Sequence, residues 1–293
     1  MIAQPTANEP PRSYKRNLLV KRLSRAPWWL LVAAALILLF VFVVNDDPVY
    51  QRAWGQVRQG IWTTIWVTVV AYSIAVVLGL VIALLRRSNN VFVYQAVTLY
   101  VEVVRGIPTL VFVYYVVLAL VPQLVELGNQ LGQWMIDNNI AAGLGDQLAT
   151  LRTRDIPNTW RAIVGLAISY SAFLSEIFRA GIDSIGEGQR EAGMSLGMTR
   201  LQVLRYIILP QAFRNVLPPL ANDFIAMLKE SSLVSIVGVE DITRQGATFA
   251  SANFTFFQTY NVVALTYLVL TLSLSIMVKS LESYLGRGRV RET

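Results

Sequence analysis

The sequence predicts an all-α, polytopic membrane protein of about six transmembrane helices, and three observations carry that reading. Hydrophobic residues make up 55% of the 293-residue chain, charged residues only 15%, and the mean hydropathy is +0.50; a soluble domain cannot bury so much apolar surface. The apolar residues fall in runs of about 20, the length an α-helix needs to cross a bilayer core. Between those runs Lys and Arg collect on alternate sides, as the positive-inside bias requires.

The elements follow in order. Residues 27–44 carry no charge and follow a basic segment containing Arg12, Lys15, Arg16, Lys21, Arg22 and Arg25. The residues after them, Asn45-Asp46-Asp47-Pro48, do not resemble a small-x-small cleavage site, so this first span is expected to be retained rather than cut as a signal peptide. Residues 60–85 form a second span ending at Arg86-Arg87. Residues 91–121 are too long for one straight span and contain Arg105-Gly106-Ile107-Pro108. Proline removes an amide donor and glycine weakens the ladder, so the third span is expected to be broken or kinked. Residues 161–178, 216–237 and 258–279 give spans four, five and six. Residues 122–159, with Pro122, Gly128, Gly132, Gly143, Gly145 and Pro157, read as an external insert of one or two short interfacial helices.

Placing the N-terminus in the cytoplasm puts the basic tail, Arg86, Arg87, Arg179, Arg190, Arg200, Arg205, Arg214, Lys279, Arg287, Arg289 and Arg291 inside. Outside lie only Arg52, Arg58, Arg152, Arg154 and Arg244. Both termini are therefore expected to be cytoplasmic. The net charge of +7 belongs to this orientation and to lipid headgroups; no module that reads nucleic acid accompanies it.

Composition also restricts the chemistry. Without Cys or His the chain has no thiol nucleophile, imidazole base, haem ligand or thiolate or imidazole metal site. None of Lys15, Lys21, Lys229 and Lys279 ends a G-x-x-x-x-G-K-[ST] phosphate loop. Most hydrolase and redox mechanisms are excluded, and the chain does not itself bind ATP through such a loop.

Two features point to function. Ionisable groups inside a span are costly, by ~2.5–3.5 kcal/mol each at the centre on insertion scales, and usually face a cavity or one another. Glu102 and Arg105 lie in the broken third span, and Asn222, Asp223, Lys229, Glu230 and Ser231 lie along the fifth. Two readings are open. A zwitterionic amino acid could meet Glu102 or Glu230 with its ammonium and Lys229 or Arg105 with its carboxylate, Asn222 and Asp223 lining the inner mouth; or the charges could form internal ion pairs or snorkel, with Ser231 bonding back to its own helix. The second feature is the loop Gly186-Glu187-Gly188-Gln189-Arg190-Glu191-Ala192-Gly193-Met194-Ser195-Leu196-Gly197 and onward to Pro210. Its apolar residues recur at helical spacing on both sides of Gly197, giving helix, tight turn, helix. Such a loop could lie on the inner leaflet or present a ridge to a partner's groove.

The stretch Glu191-Ala192-Gly193-x-x-x-Gly197, followed by Ile207, Leu209 and Pro210, resembles the EAA loop of ABC importer permeases, departing at Gly193, where that family usually has Ala. Four further stretches fall in the family's order: Tyr100 to Pro108, Tyr170 to Ile182, Pro210-Gln211-Ala212, and Lys229 to Leu233. Together they resemble the polar amino-acid branch, the histidine and glutamine type permeases. The resemblance covers about residues 56–285, leaving residues 1–26 as a basic cytoplasmic tail, 27–44 as a helix added to a five-helix core and 286–293 as a second cytoplasmic tail. It implies a permease subunit of an ATP-driven importer for polar or charged L-amino acids in the cell (inner) membrane. It also implies a coupling loop at 181–215, in which Glu187, Gln189, Glu191, Ala192, Gly193, Leu196 and Gly197 meet the ATPase. The implied partners are a cytoplasmic ABC ATPase dimer that binds the ATP and Mg, a second permease chain, identical or homologous, an external substrate-binding protein, the amino acid and lipid. This chain would hold no cofactor or metal, take part in no nucleic-acid binding and catalyse no reaction itself. An ion-coupled secondary amino-acid transporter is the alternative; its usual sign, broken helices in repeated halves, is missing from the sequence.

Overall fold

The computed structural model describes residues 28–286, and every regular element among them is helical. The basic tail expected over residues 1–26 and the chain after Gly286 lie outside the described residues. Helix α1 (Trp28–Asp46) belongs to a first unit that ends at Pro48. The second unit begins at Val49 and holds nearly all of α2 (Pro48–Val57), followed by α3 (Gly60–Leu85), α4 (Val91–Gly106), α5 (Thr109–Tyr115) and α6 (Val121–Asp137). It continues through α7 (Ala142–Thr150), α8 (Asn158–Asp183), α9 (Glu187–Ser195), α10 (Arg200–Val203), α11 (Leu209–Glu230), α12 (Ile242–Asn253) and α13 (Phe256–Gly286). Among the described residues four helical stretches are long and apolar enough to cross a membrane: Pro48–Leu85, Thr109–Asp137, Asn158–Asp183 and Phe256–Ser280.

The expected spans map onto this with three differences, and one is that the first, α1, is not among those four. The fifth, now α11, fails the apolarity test because Arg214, Asp223, Lys229 and Glu230 interrupt it. The third is two helices. Pro108 disfavours helical geometry at the residue before it, and Ile107 is extended at φ −97°, ψ 130°. Helix restarts at Thr109 and does not stop at Val121 but runs on to Asp137. That continuation needs an adjustment at Pro122, which has no amide hydrogen. A π turn over Val116–Leu120 supplies it, Val121 N–H reaching back five residues to the Val116 carbonyl. The same device stands before Pro210, where Leu204–Ile208 form a π turn and Leu209 N–H bonds the Leu204 carbonyl.

The principal helix pair is α3 with α8. Thr64, Thr68, Ala71, Ala75, Gly79 and Ala83 form a buried, small-residue stripe along α3. In a membrane, small residues let helices approach closely enough to gain dispersion energy that lipid would otherwise match. The approach is closest at Gly79, where a Cβ would stand 2.9 Å from the Leu174 Cβ. Val67, Ala71, Val113, Val117, Ile163, Leu166, Leu174, Met227 and Val234 complete the core.

At the end of the bundle where α3 begins, Asp241 is fully buried. Its carboxylate caps α12 by accepting from Arg244 N–H at 2.8 Å and accepts from the Tyr267 hydroxyl at 3.1 Å. The Ile242 N–H donates to the Thr64 hydroxyl. Burial pushes the Asp241 carboxyl above the usual carboxylate range, opposed by these hydrogen bonds to the charged form.

Candidate functional site

A cavity of about 330 Å³ opens where the α4–α5 break, α8 and α11 meet. Arg105 ends α4 just before the break and Thr109 opens α5 just after it. Tyr170, Phe173, Glu176 and Ile177 recur at three- and four-residue intervals and so share one face of α8; Asp223, Ala226 and Glu230 do the same on α11. The helical period alone therefore gathers one cation, three carboxyl groups and a phenol around a space of small-molecule size.

These groups are not equivalent. Glu176 is anchored: its Oε1 accepts from Arg86 Nη1 at 2.5 Å and its Oε2 from Arg179 Nε at 2.9 Å and Nη2 at 2.8 Å. Arg105 holds more loosely, with Nη1 3.7 Å from Glu176 Oε1 and the guanidinium 5.7 Å over the Phe173 ring. No described Lys or Arg lies within ion-pair distance of Asp223 or Glu230. Glu230 Oε2 is buried without a hydrogen-bond partner. The Tyr170 hydroxyl neighbours both carboxyl groups, and Tyr72 stands behind it, donating to the Leu220 carbonyl at 2.5 Å and packing edge-on against Phe224.

Of the residues expected from sequence, Arg105, Asp223 and Glu230 line this cavity. Glu102, Asn222 and Lys229 do not: each is exposed, and Asn222 and Lys229 immediately precede lining residues, about 100° round the helix from them. Ser231 is buried and donates to the Leu228 carbonyl at 2.7 Å, the backward bond to its own helix. Glu176 and Tyr170 were not among the expected residues. The sequence signal for Glu176 is an acidic residue within an apolar span.

The second surface is the loop after α8. Helix α9 ends in a Schellman arrangement: Gly197 N–H donates to the Met194 carbonyl, Met198 N–H donates to the Gly193 carbonyl, and Gly197 has φ +79°. Thr199 and Gln202 then form a reciprocal capping box that starts α10. Gly193 is buried, and a Cβ there would come within 2.8 Å of Ile207 Cδ1 and 2.9 Å of Val203 Cγ2. Glu187, Gln189, Glu191, Ala192, Leu196 and Gly197 are all exposed. Leu196 at 82%, Leu201 at 73%, and Tyr206 and Phe213 at 64% form an exposed apolar ridge, too large a cost in water without a partner or lipid to cover it.

Residues 75–287 match the family described as binding-protein-dependent transport system inner membrane component. The chain is 35% identical over 232 residues to the probable amino-acid permease protein YxeN of Bacillus subtilis, covering 78% of this chain and 91% of that protein. It is 32% identical over 224 residues to the glutamine transport system permease protein GlnP of Escherichia coli, covering 76% and 90%, and 31% identical over 227 residues to the arginine transport system permease protein ArtQ of Bacillus subtilis, covering 77% and 90%. Among solved structures it resembles a chain of an amino acid ABC transporter crystallised with histidines, at 34% identity and a TM-score of 0.64, over 84% of this chain and 98% of the other. A chain of the MetNI methionine ABC transporter, at 18% identity and a TM-score of 0.56, shares the fold.

Proposed function

The chain belongs to the binding-protein-dependent transport system inner membrane component family, and on that premise we propose that it is the transmembrane subunit of an ATP-driven importer of polar or charged L-amino acids. The observation that carries the proposal is the position of α11. One end of this helix continues from the exposed α9–α10 loop and the other carries Asp223 and Glu230 into the charged cavity. A push on the loop therefore reaches the cavity along one continuous element.

In this reading the loop end faces the cytoplasm, both termini lie on that side, and the ridge of Leu196, Leu201 and Tyr206 seats in a dimeric ATPase that binds ATP and Mg. A second permease chain completes the translocation path, and an external binding protein delivers the amino acid. The relatives named for glutamine and arginine transport support the substrate class, and the cavity's mixture of one loosely held cation with carboxylates suits a zwitterion. Ionisable groups at such depth persist where a cavity or a partner offsets their desolvation. The break at Ile107 and Pro108 frees backbone groups at the same place, and exposed backbone at membrane depth is tolerated only where protein or water lines a cavity.

The test is purification in mild detergent from cells expressing the neighbouring transporter subunits. An ATPase and a second permease chain should co-purify, with ATP hydrolysis stimulated by the amino-acid-loaded binding protein. A chain that purifies alone and transports without an ATPase would overturn the assignment.

A further inference from the structure

We propose that the cavity selects L-amino acids with a cationic side chain, arginine or lysine, over neutral and acidic ones. The inference rests on the importer reading above and narrows its substrate class. What the cavity offers a ligand is its uncommitted charge. Glu176 is taken up by Arg86 and Arg179 at hydrogen-bond distance, so it does not offer its carboxylate to a ligand. Arg105, at 3.7 Å from Glu176 and otherwise lying over Phe173, is the one lining cation free to turn to a new anion. Asp223 and Glu230 have no cation within ion-pair distance among the described residues, and one Glu230 oxygen is buried with no partner at all. The cavity thus presents one available positive charge and two available negative ones.

Arginine and lysine carry the complement of that set: one α-carboxylate, one α-ammonium and one side-chain cation. The carboxylate would meet Arg105, and the two cations would meet Asp223 and Glu230. These residues are seven apart on α11, about 10.5 Å along the axis at the α-helical rise, so a ligand with its cations at the two ends of an extended stem can bridge them. Glutamine would satisfy one carboxylate and leave the other, half-buried, without a cation. Glutamate would add a third negative charge beside them. An unpaired buried charge costs more than a missing neutral hydrogen bond, so the preference follows from what each ligand leaves unsatisfied. Phe173 and Tyr170, both lining the same space, also offer ring faces to a guanidinium or ammonium stem.

Direct binding to the complete permease–ATPase assembly in lipid nanodiscs, without the binding protein, separates the cavity's preference from that of the delivery protein. L-arginine, L-lysine, L-glutamine and L-glutamate are the probes, and ATP-driven uptake of all four by the full importer in vesicles is measured alongside. Arginine and lysine should bind at least about tenfold tighter than glutamine, and Glu230→Gln should lower arginine affinity about tenfold or more, the scale of one charged hydrogen bond. Asp223→Asn, with thermal melting recorded for both variants, supplies a second reading should one of them fold poorly. Equal or tighter binding of glutamine or glutamate, no binding of any probe, or variants that weaken all four probes equally would each overturn the selectivity. If glutamine or glutamate is nevertheless imported with ATP, the importer reading stands and the selectivity alone fails. If no amino acid is imported with ATP, both fall.

Discussion

Gly193 and Gly197 sit four residues apart in one turn of the exposed loop and are there for different reasons. Gly197 adopts φ +79°, a region where an L side chain costs about 1 kcal/mol. Gly193 has ordinary backbone but sits against Val203 and Ile207. Gly197→Ala should therefore loosen the turn by about 1 kcal/mol and lower transport per ATP hydrolysed, while Gly193→Ala, the residue usual in the family, should be tolerated. A methyl at 193 would meet Ile207 Cδ1, the far end of a flexible side chain that can turn away, and Val203 Cγ2, which must give by a few tenths of an ångström, whereas Gly193→Leu should abolish coupling. The ratio of uptake to ATP hydrolysis in vesicles checks both; equal effects at 193 and 197 would contradict the distinction. Asp241 gives a pH-dependent prediction. Its folded-state pKa is raised by burial, so the stability it contributes is full below its unfolded value of about 3.9 and is lost as pH rises through the folded value. Asp241→Asn should flatten that part of the melting-temperature profile while keeping the α12 cap. Asp241→Ala should cost about 1 kcal/mol or more at all pH values by losing the cap.

The elements show how far a sequence can be read and where it stops. Breakage of the third span was legible because proline acts on its own neighbour, and Ile107 is extended for that reason. The helix–turn–helix loop was legible because its apolar residues recur on both sides of Gly197. The two π turns were not, since nothing local distinguishes a proline that ends a helix from one that a wider turn carries along. Of the polar and charged residues in α11, neither composition nor position says which face the cavity; that depends on how α11 lies against α8, which fixes Asp223 and Glu230 inward and Asn222 and Lys229 outward. Each π turn precedes its proline by one residue, which leads to a prediction. Pro210→Ala restores a donor for the Tyr206 carbonyl and lets the Leu204–Ile208 turn close as ordinary α-helix. That change would rotate the loop by about 100° relative to α11 and should uncouple ATP hydrolysis from uptake without lowering the amount of inserted protein. Tight coupling retained in Pro210→Ala would show that the π turn has no part in transmission.

Across the whole molecule α11 joins the exposed loop to the cavity, whose wall also holds the Glu176 cluster. Arg86 on the chain just after α3, Arg179 on α8 and Arg105 on α4 all approach that one carboxylate. Removing Glu176 leaves three guanidiniums facing one another, so Glu176→Ala should lower the melting temperature and release Arg105, whereas Arg105→Ala should leave the Arg86–Glu176–Arg179 arrangement intact and affect substrate handling first. In the proposed importer, ATP hydrolysis by the partner, transmitted through this chain, drives amino-acid import. Uptake of radiolabelled amino acid into vesicles holding the permease, its ATPase and its binding protein tests it most directly. Accumulation is expected only when ATP is enclosed on the loop side, unaffected by collapsing ion gradients; accumulation without ATP, driven by an ion gradient alone, would contradict the importer assignment.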